Sequence, residues 1–413
     1  MFDIKYIREN PERVEKAAKD KGVTLDLDEI LEIDKKTQIL RLAQQKLLEE
    51  RNKAAKHKDK EKGKKIKEEI EELEKELLPL EKKLKELLLS IPNIAKSDVK
   101  SGKDETENEV IKKVGDIPKF DFEALDHMDL GESLDIIDVD RASRVSGTRF
   151  AYLKNEAVLL EFALVSYALQ ILTKEGFIPV VPPTLVNTEV MRGLGYMEAG
   201  GSEDMFHIPS DKLTLVGTAE HSIVPMHMGE VLNVKDLPKR YVGFSSAFRR
   251  EAGSYGKDTR GILRVHQFDK VEMVSFVEEG KDDKEHEYLL SLEEKLFQAL
   301  EIPYRVVKMC TGDLGFPAAR KYDIEAWMPG QKTYREVTSV STVTSFQSRR
   351  LKIRYQDNGE RKYVNILNGT AFAIGRTIIA ILENYQNKDR SIAVPDALQK
   401  YMFGVKKISL KKG

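Results

Sequence analysis

A seam of apolar residues with coiled-coil spacing, in the first quarter of the chain, constrains the fold more than any other feature. Its side chains recur in steps of four and three, at Ile66, Ile70, Leu73, Leu77, Leu80, Leu84 and Leu87. A weaker seam precedes it, with Thr37 and Gln44 at two intervening positions and apolar residues at Ile30, Ile33, Leu40 and Leu47. Such steps are typical of coiled-coil helices. The two seams therefore predict an antiparallel helical hairpin over residues 27–90, in which each seam buries the other.

The segment between the two seams is strongly basic. Residues 53–65 hold seven lysines against Asp59 and Glu61, and Gly63 is available for the turn. We call these lysines the lysine tip: Lys53, Lys56, Lys58, Lys60, Lys62, Lys64 and Lys65. A run of this kind is either a solvated helix end or a contact for nucleic-acid phosphates, and the run alone does not decide between them.

The rest of the chain changes character. We predict an N-terminal domain over residues 1–100, a polar, aperiodic linker over 101–120 and a second domain over 121–413. In the second domain, strand-like runs occupy residues 177–181, 240–244, 263–274, 304–308, 322–327, 335–340 and 363–367. Amphipathic helices are predicted at residues 156–174, 284–300 and 371–385. The expected fold class is α+β, a helical arm followed by a large sheet with flanking helices.

Composition narrows the possible classes of protein. The 68 basic and 69 acidic residues nearly cancel, so net charge carries no information about partners. A single cysteine, Cys310, excludes an internal disulfide and a cysteine-rich zinc site, so we expect no zinc and a reducing, cytoplasmic location. The N-terminus has no signal-peptide pattern, and charged or polar residues interrupt the most apolar stretch, so we expect neither export nor membrane insertion.

A pair of strand-like runs around residues 247–272 is joined by an unusually long, charged loop. Ordinary hairpins use a turn of about two to five residues. This loop contains more residues than that, with few acidic ones to balance Arg249, Arg250, Lys257, Arg260 and Arg264. Guanidinium groups bind phosphate oxygens in a planar fork, and Phe268 on the second strand offers a ring on which a base can stack. The pattern indicates a polyphosphate site.

The same segment resembles motif 2 of the seryl-tRNA synthetase family, which belongs to the antiparallel-sheet class (class II) of aminoacyl-tRNA synthetases. The resemblance covers essentially the whole chain, through the opening at residues 1–12, V-S-G-T-R-F at Val145 to Phe150, and V-P-D-A-L-Q-K-Y-M at Val394 to Met402. It implies a class II catalytic domain with a mostly antiparallel sheet. It also implies that the protein activates serine with ATP and transfers serine to the 3′ end of tRNA(Ser).

The resemblance further implies partners and a location for each of them. Pro182-Pro183 resembles motif 1, which in this class forms a two-fold interface, so a homodimer is expected. The helical arm would reach tRNA across that dimer, and the lysine tip would contact tRNA phosphates. The implied cofactor is Mg²⁺, bound together with the substrate ATP.

Residues for ATP follow from the same comparison, with Arg249 and Arg376 as the catalytic pair. Arg249 would contact the α-phosphate and the amino-acid carboxylate, and Arg376, in Gly375-Arg376-Thr377, the γ-phosphate. Glu251 would reach the adenine edge, Phe268 would stack on the ring, and Glu336 and Ser339 would bind magnesium. The full implied ATP set is Arg249, Arg250, Glu251, Phe268, Glu336, Val337, Thr338, Ser339 and Arg376.

Strand alternation only partly fits the magnesium assignment. It places Thr338, not Ser339, on the face of Glu336, so a bulge or twist at the strand's end is needed to bring Ser339 round. Asp323 and Glu325 form a second acidic pair on one face, and we assign them no role because a salt-bridged edge is as reasonable. His266 is expected to orient the strand rather than to act as a base.

The implied serine-binding set contains two carboxylates. A site rejects alanine and glycine only by burying acceptors that those substrates leave unpaired, which suits Glu220 and Glu272. The set is Thr218, Ala219, Glu220, Arg249, Glu272, Asn368 and Thr370. A helix cap at Thr218 and a charged rim at Glu272 are the alternatives.

Two other functions remain open from the sequence. One is an enzyme of the same fold that activates an amino acid but loads a carrier protein or nothing, against which the helical arm argues. The other is a catalytically silent coiled-coil or RNA-binding relative, against which Arg249, Glu251, Glu336 and Arg376 argue. The residues 340–345 and Thr370-Ala371 depart from the usual family pattern, which affects the expected rate rather than the reaction type.

Overall fold

The computed structural model describes residues 2–198, 200–252 and 260–410. It divides into two compact units, Met1–Ile94 and Ala95–Gly413. The division falls a few residues before the predicted end of the N-terminal domain at residue 100.

The first unit is helical. Its helices are α1 Ile4–Glu9, α2 Pro11–Asp20, α3 Leu27–Lys56 and α4 Lys60–Leu89. Both long helices begin at an aspartate whose side chain accepts a backbone N–H, Asp26 from Glu29 and Asp59 from Lys62. Such caps satisfy donors that the first helical turn leaves free.

The predicted antiparallel hairpin is confirmed. Two hydrogen bonds between side chains of α3 and α4 show that the helices run in opposite directions. Arg41 Nε donates to Glu81 Oε1 at 2.6 Å, and Gln44 Nε2, later in α3, donates to Glu74 Oε1, earlier in α4, at 2.9 Å. Seam residues are buried or half-buried, with the deepest at Ile30, Ile33, Thr37, Ile66, Ile70 and Leu77.

The predicted turn at Gly63 is wrong. The turn occupies residues 57–59, where Lys58 adopts a φ of 56°, and Gly63 lies inside α4. The cap at Asp59 decides the matter, because its side chain fixes the start of α4 at Lys60 and leaves Gly63 no turn to make.

The second unit contains the sheets and the remaining helices. The helices are α5 His127–Ser133, α6 Val139–Ser146, α7 Glu156–Lys174, α8 Thr188–Leu194, α9 Glu220–Ile223, α10 Asp282–Ala299, α11 Phe346–Leu351, α12 Ile374–Asn384 and α13 Asp396–Gln399. The first nine strands are β1 Glu109–Val114, β2 Ile137–Asp138, β3 Tyr152–Leu153, β4 Ile178–Val180, β5 Leu185–Asn187, β6 His207–Ile208, β7 Leu213–Leu215, β8 Val231–Asn233 and β9 Lys239–Phe248. The others are β10 Gln267–Val277, β11 Tyr304–Lys308, β12 Arg320–Met328, β13 Thr333–Thr344, β14 Arg354–Asp357, β15 Glu360–Tyr363, β16 Asn365–Ala373, β17 Ile392–Ala393 and β18 Lys407–Ile408.

An eight-stranded sheet organises this unit, in the order β1-β11-β12-β13-β16-β10-β9-β4. Every pairing in it is antiparallel except that of β4 with β9, which confirms the predicted mostly antiparallel sheet. β1 falls in the segment predicted as a linker and pairs with β11, so that segment supplies the edge of the sheet.

The main core lies between the sheet and three helices, α7, α10 and α12. Leu164, Leu289 and Ile378, one from each helix, are fully buried in it. By length and composition alone α7 could cross a membrane, but 44% of its most apolar window is buried inside the protein.

Candidate active site

The strands β9 and β10 form the predicted hairpin with a long charged loop. Phe248 lies opposite Gln267 where the ladder begins, so β10 starts four residues later than the predicted residue 263. Of the loop cations, Arg260 pairs with Asp126 and Asp129 at 3.0 and 2.6 Å. Lys257 and the rest of the loop from 253 to 259 lie outside the described residues.

A first cavity of about 170 Å³ opens over the middle of the sheet. It brings together eight of the nine residues predicted for ATP, namely Arg249, Glu251, Phe268, Glu336, Val337, Thr338, Ser339 and Arg376. The guanidinium carbon of Arg249 lies 5.4 Å from the centroid of the Phe268 ring. Arg376 stands in the first turn of α12, as predicted, where the helix N-terminus favours anions.

Arg250 is the residue that the structure does not bring to this cavity. Its guanidinium lies 5.8 Å from the centroid of the Phe206 ring, and its backbone N–H donates to the carbonyl oxygen of Asp204 at 2.8 Å. Successive side chains of an extended segment point to opposite sides, so Arg249 and Arg250 diverge.

A β-bulge in β13 brings Glu336 and Ser339 together, as the prediction required. Thr338 lies opposite Ile324 and Glu336 opposite Glu325, which leaves Val337 as the extra residue. Glu336 and Ser339 both line the first cavity, three positions apart. The bulge is not at the strand's end, because β13 continues to Thr344.

Thr338 has its side chain on the other side of the sheet. Its hydroxyl donates to Glu293 Oε2 of α10 at 2.7 Å, and both residues are buried. Burial raises the pKa of Glu293 well above its usual value, against the hydrogen bond from Thr338. The contribution of Thr338 to the cavity is therefore its backbone.

Glu336 and Arg376 form the main ion pair of the first cavity. Arg376 Nη1 donates to Glu336 Oε2 at 2.9 Å and to the carbonyl oxygen of Glu336 at 3.1 Å. Burial acts to raise the pKa of Glu336, but the charges of Arg376 and Lys321 outweigh it and hold that pKa at about 2. Glu336 is thus ionised at neutral pH, as a cation ligand must be.

The oxygen donors of this cavity fit magnesium. Mg²⁺ prefers oxygen ligands and is commonly held by one or two carboxylates together with substrate phosphates. Glu336 and Ser339 supply one carboxylate and one hydroxyl. Among the described residues no group of three or more His, Cys, Asp and Glu side chains could hold a metal ion by itself, so a magnesium site here would depend on the phosphates.

A second cavity of about 350 Å³ adjoins the first. Arg249, Lys270, Lys321 and Ser339 line both cavities. Five of the seven residues predicted for serine also line the second one, Thr218, Glu220, Arg249, Glu272 and Asn368. Thr370 reaches it indirectly, because its hydroxyl donates to Glu272 Oε2 at 3.2 Å. Ala219 is fully buried in a neighbouring hydrophobic cluster instead.

The two carboxylates of the second cavity have different partners. Glu272 forms an ion pair with Lys270, whose Nζ lies 2.7 Å from Glu272 Oε2. Glu220 accepts hydrogen bonds from the neutral Tyr196 hydroxyl, at 3.0 Å to each oxygen, and from Gln347 Nε2 at 2.8 Å. One carboxylate is therefore matched by a charge and the other only by dipoles.

Histidines near the site have positioning contacts. Burial, with the charges of Arg249 and Lys270, lowers the pKa of His221 to about 3, so this ring is neutral and its Nδ1 accepts the Gly217 N–H at 3.1 Å. His266 Nδ1 lies 3.0 Å from the carbonyl oxygen of Arg249. A carbonyl only accepts, so this nitrogen donates, which agrees with the predicted orienting role.

Sequence reasoning missed Tyr196, Lys270, Gln347 and Lys321. Alternation had put Asp323 and Glu325 on one face of β12, and the same alternation placed Lys321 there, so that signal was available. In the structure Lys321 Nζ lies 3.1 Å from Asp323 Oδ1, at the cavities, whereas Glu325 pairs with Arg305 at 2.5 Å. Nothing local marked Tyr196 or Gln347, which reach Glu220 only through the fold.

The lysine tip is fully on the surface. Its lysines occupy the end of α3, the turn and the first turns of α4, and each of the seven is exposed. This arrangement provides a compact positive surface of the kind that contacts nucleic-acid phosphates.

Comparison with known proteins gives the family. The family described as "Seryl-tRNA synthetase N-terminal domain" matches residues 1–95, and "tRNA synthetase class II core domain (G, H, P, S and T)" matches residues 205–385. A Serine–tRNA ligase of Dictyoglomus thermophilum is 46% identical over 426 residues, which cover 100% of both chains. One of Acidothermus cellulolyticus is 52% identical over 318 residues, 77% of this chain and 75% of that protein.

Solved structures agree with the sequence comparison. The seryl-tRNA synthetase of Pyrococcus horikoshii, complexed with ATP, has a TM-score of 0.92 and 41% identity, with 100% of both chains covered. The cytoplasmic Serine–tRNA ligase of Naegleria fowleri, in complex with AMP, has a TM-score of 0.88 and 32% identity, covering 100% of this chain and 99% of that one. Together with the helical arm, the antiparallel sheet and the two adjoining cavities, these similarities show that the chain belongs to the seryl-tRNA synthetase family.

Proposed function

We propose that the two cavities hold the two substrates of one reaction, in which serine is activated by ATP and then transferred to tRNA(Ser). One observation carries the proposal. Arg249 lines both cavities, with Phe268 and Arg376 on one side of it and Glu220 and Glu272 on the other. A nucleotide in the first cavity and an amino acid in the second would therefore meet at Arg249.

The chemistry needs positioning and charge stabilisation rather than a covalent nucleophile. The serine carboxylate attacks the α-phosphorus of ATP, pyrophosphate leaves, and negative charge builds up between two anions. A fixed guanidinium at that point stabilises the transition state more than the separate substrates. In the second step the terminal ribose hydroxyl of the tRNA attacks the carbonyl carbon of seryl-adenylate, and AMP leaves.

For ATP we propose a smaller set than the sequence implied. Phe268 offers a stacking face to adenine, and Arg376 lies where a terminal phosphate would meet the N-terminus of α12. Arg250 is left out because its side chain lies over Phe206. Glu336 and Ser339 would hold Mg²⁺, which when bound neutralises phosphate charge.

We assign the two donor groups of serine from the charges of the second cavity. Glu220 has no charged partner at hydrogen-bond distance among the residues that the structure describes, so no resident cation competes with the serine ammonium group for its ionised form. Glu272 is matched by Lys270 and accepts from Thr370, which suits the neutral serine hydroxyl. Alanine has no hydroxyl to donate, so Glu272 would lose the hydrogen bond that serine supplies and keep only its contacts with Lys270 and Thr370.

Two surfaces are proposed for macromolecular partners. The exposed lysine tip would bind the phosphates of tRNA(Ser), in the cytoplasm where charged tRNA is used.

A second copy of the chain would cover the free edge of β4 and the adjacent face of α7, since Phe162, Ile178 and Val181 are 54%, 46% and 86% exposed there. A glutamate in place of Phe162 should then shift the sedimentation coefficient from dimer to monomer.

Pyrophosphate exchange with each of the twenty amino acids, followed by charging of purified tRNA, tests the proposal. Serine alone should support rapid exchange, and tRNA(Ser) should be charged. Exchange without charging would favour an enzyme that loads another carrier. No exchange with any amino acid would favour the silent RNA-binding alternative.

A further inference from the structure

Glu220 lies in a buried hydrogen-bonded cluster that the proposed reaction does not by itself explain. The residue is 2% exposed, at the start of α9. Tyr196, which follows α8, donates its hydroxyl hydrogen at 3.0 Å to both carboxylate oxygens. Gln347 in α11, fully buried, donates from Nε2 to Oε1 at 2.8 Å. Donors from two separate elements thus converge on one carboxylate.

The other groups around Glu220 oppose one another. Burial, the largest influence, raises the pKa of Glu220 to about 7, and the negative charge of Glu272 adds to the rise. Gln347 and Tyr196 oppose the rise through their hydrogen bonds, and Lys270 opposes it through its charge. His221 beside Tyr196 is neutral, with ring centroids 4.4 Å apart, and Arg249 lines the same cavity. A buried carboxylate in these surroundings is ionised at neutral pH only with help from its donors.

We propose that Tyr196 and Gln347 are positioning residues for serine recognition, which keep Glu220 ionised and aimed at the substrate's ammonium group. The inference rests on the proposed role of Glu220 in binding serine. Both donors are neutral, so they stabilise the anion without cancelling the charge that the ammonium group needs.

The contacts of Gln347 argue against a role in packing alone. Its Oε1 is buried, and among the described residues no group donates a hydrogen bond to it. A glutamine retained in the core for stability would be expected to satisfy both of its polar ends. Here Nε2 donates to Glu220, with only a longer contact of 3.4 Å to the carbonyl oxygen of Leu194, and Oε1 is left unmatched. Met, which is similar in size, should therefore be tolerated by the fold.

The experiment compares the pH dependence of kcat/KM for serine in pyrophosphate exchange across four single variants. Tyr196→Phe keeps the ring on His221 but loses the donor, and Gln347→Met loses the amide. Ser348→Ala is the matched control, because Ser348 is the next residue of α11, is fully buried, and donates to Val364 rather than to Glu220. Glu220→Gln removes the titrating group itself.

The parent enzyme should lose activity toward serine as the pH falls below about 7, because Glu220 becomes protonated. Loss of a hydrogen bond to the anion should move this acid limb up by about one pH unit in Tyr196→Phe and in Gln347→Met. Both variants should then be about tenfold slower than the parent at acidic pH, and the gap should narrow as the pH rises. The KM for ATP and the Ser348→Ala profile should not move.

Each contrary result has a distinct meaning. An equal loss at every pH in Tyr196→Phe and Gln347→Met, or no loss, would overturn the inference. If Glu220→Gln abolishes serine activation while those two profiles stay in place, the inference fails and the proposed serine site stands. If Glu220→Gln leaves the serine KM within about threefold of the parent, the proposed role of Glu220 fails first.

Discussion

Replacing Arg249 with alanine should abolish serine-dependent pyrophosphate exchange while the fold survives. Arg249 lines both cavities, at the point where the serine carboxylate and the α-phosphate would meet. Its side chain makes few contacts that stabilise the folded chain. Nε and Nη2 both donate to the carbonyl oxygen of Gly217 at 3.3 Å, and the guanidinium lies 5.4 Å from the centroid of the Phe268 ring.

These contacts set the expected magnitudes. Two long hydrogen bonds to one carbonyl contribute about 1 kcal/mol to stability, and the contact with Phe268 contributes about 0.5–1 kcal/mol. The variant should therefore unfold only a few degrees below the parent. Removing a donor that meets developing negative charge costs about 3 kcal/mol or more, which is a loss of about a hundredfold or more in the rate of exchange.

The assay is exchange at saturating serine and ATP, with thermal unfolding measured on the same samples. Arg249→Lys keeps a positive charge but loses the planar fork, so its rate should lie between those of the parent and Arg249→Ala. The fold-loss of exchange activity in Arg250→Ala should be smaller than that in Arg249→Ala by a factor of about ten or more, because the Arg250 guanidinium lies over Phe206. Exchange by Arg249→Ala within about threefold of the parent would remove Arg249 from the site.

Three other predictions test separate parts of the account. Glu272→Ala should reduce the ratio of serine to alanine activation by about tenfold or more, and an unchanged ratio would place the specificity pocket elsewhere. Arg376→Ala should raise the KM for ATP. Because Glu336 then loses its cationic partner, its pKa should rise and exchange should fall at acidic pH; an unchanged pH profile would refute this. Replacing four lysines of the tip, Lys53, Lys56, Lys58 and Lys60, with glutamine should make the dependence of log tRNA affinity on log salt less steep by up to about 3–4 units. The rate of exchange should not change.

Elements with a strong periodic signal were predicted well. The apolar seams define α3 and α4, because a four-three repeat can be buried only by a partner helix. α7 runs over the predicted residues 156–174. By contrast β1 was hidden in a polar segment, since an edge strand whose residues are almost all exposed has no apolar alternation to read.

The candidate site was predictable where a motif carries its own chemistry. Arg249, Phe268, Glu336 and Arg376 converge on one cavity as expected. The sequence indicated that a bulge or twist was needed to bring Ser339 to the face of Glu336. It could not place the bulge at Val337, because that position depends on the pairing with β12. Tyr196 and Gln347 could not be predicted, since more than a hundred residues separate them and only the fold brings both to Glu220.

The central claim is that a single site spans both cavities and binds serine and ATP on either side of Arg249. It is tested most directly by a crystal structure with a non-hydrolysable seryl-adenylate analogue in which a sulfamoyl group replaces the phosphate. We predict that the adenine will stack on Phe268, that the linking group will contact Arg249, and that the ammonium and hydroxyl groups will contact Glu220 and Glu272. A seryl group bound away from both carboxylates, or an adenine outside the cavity lined by Phe268, would contradict the account.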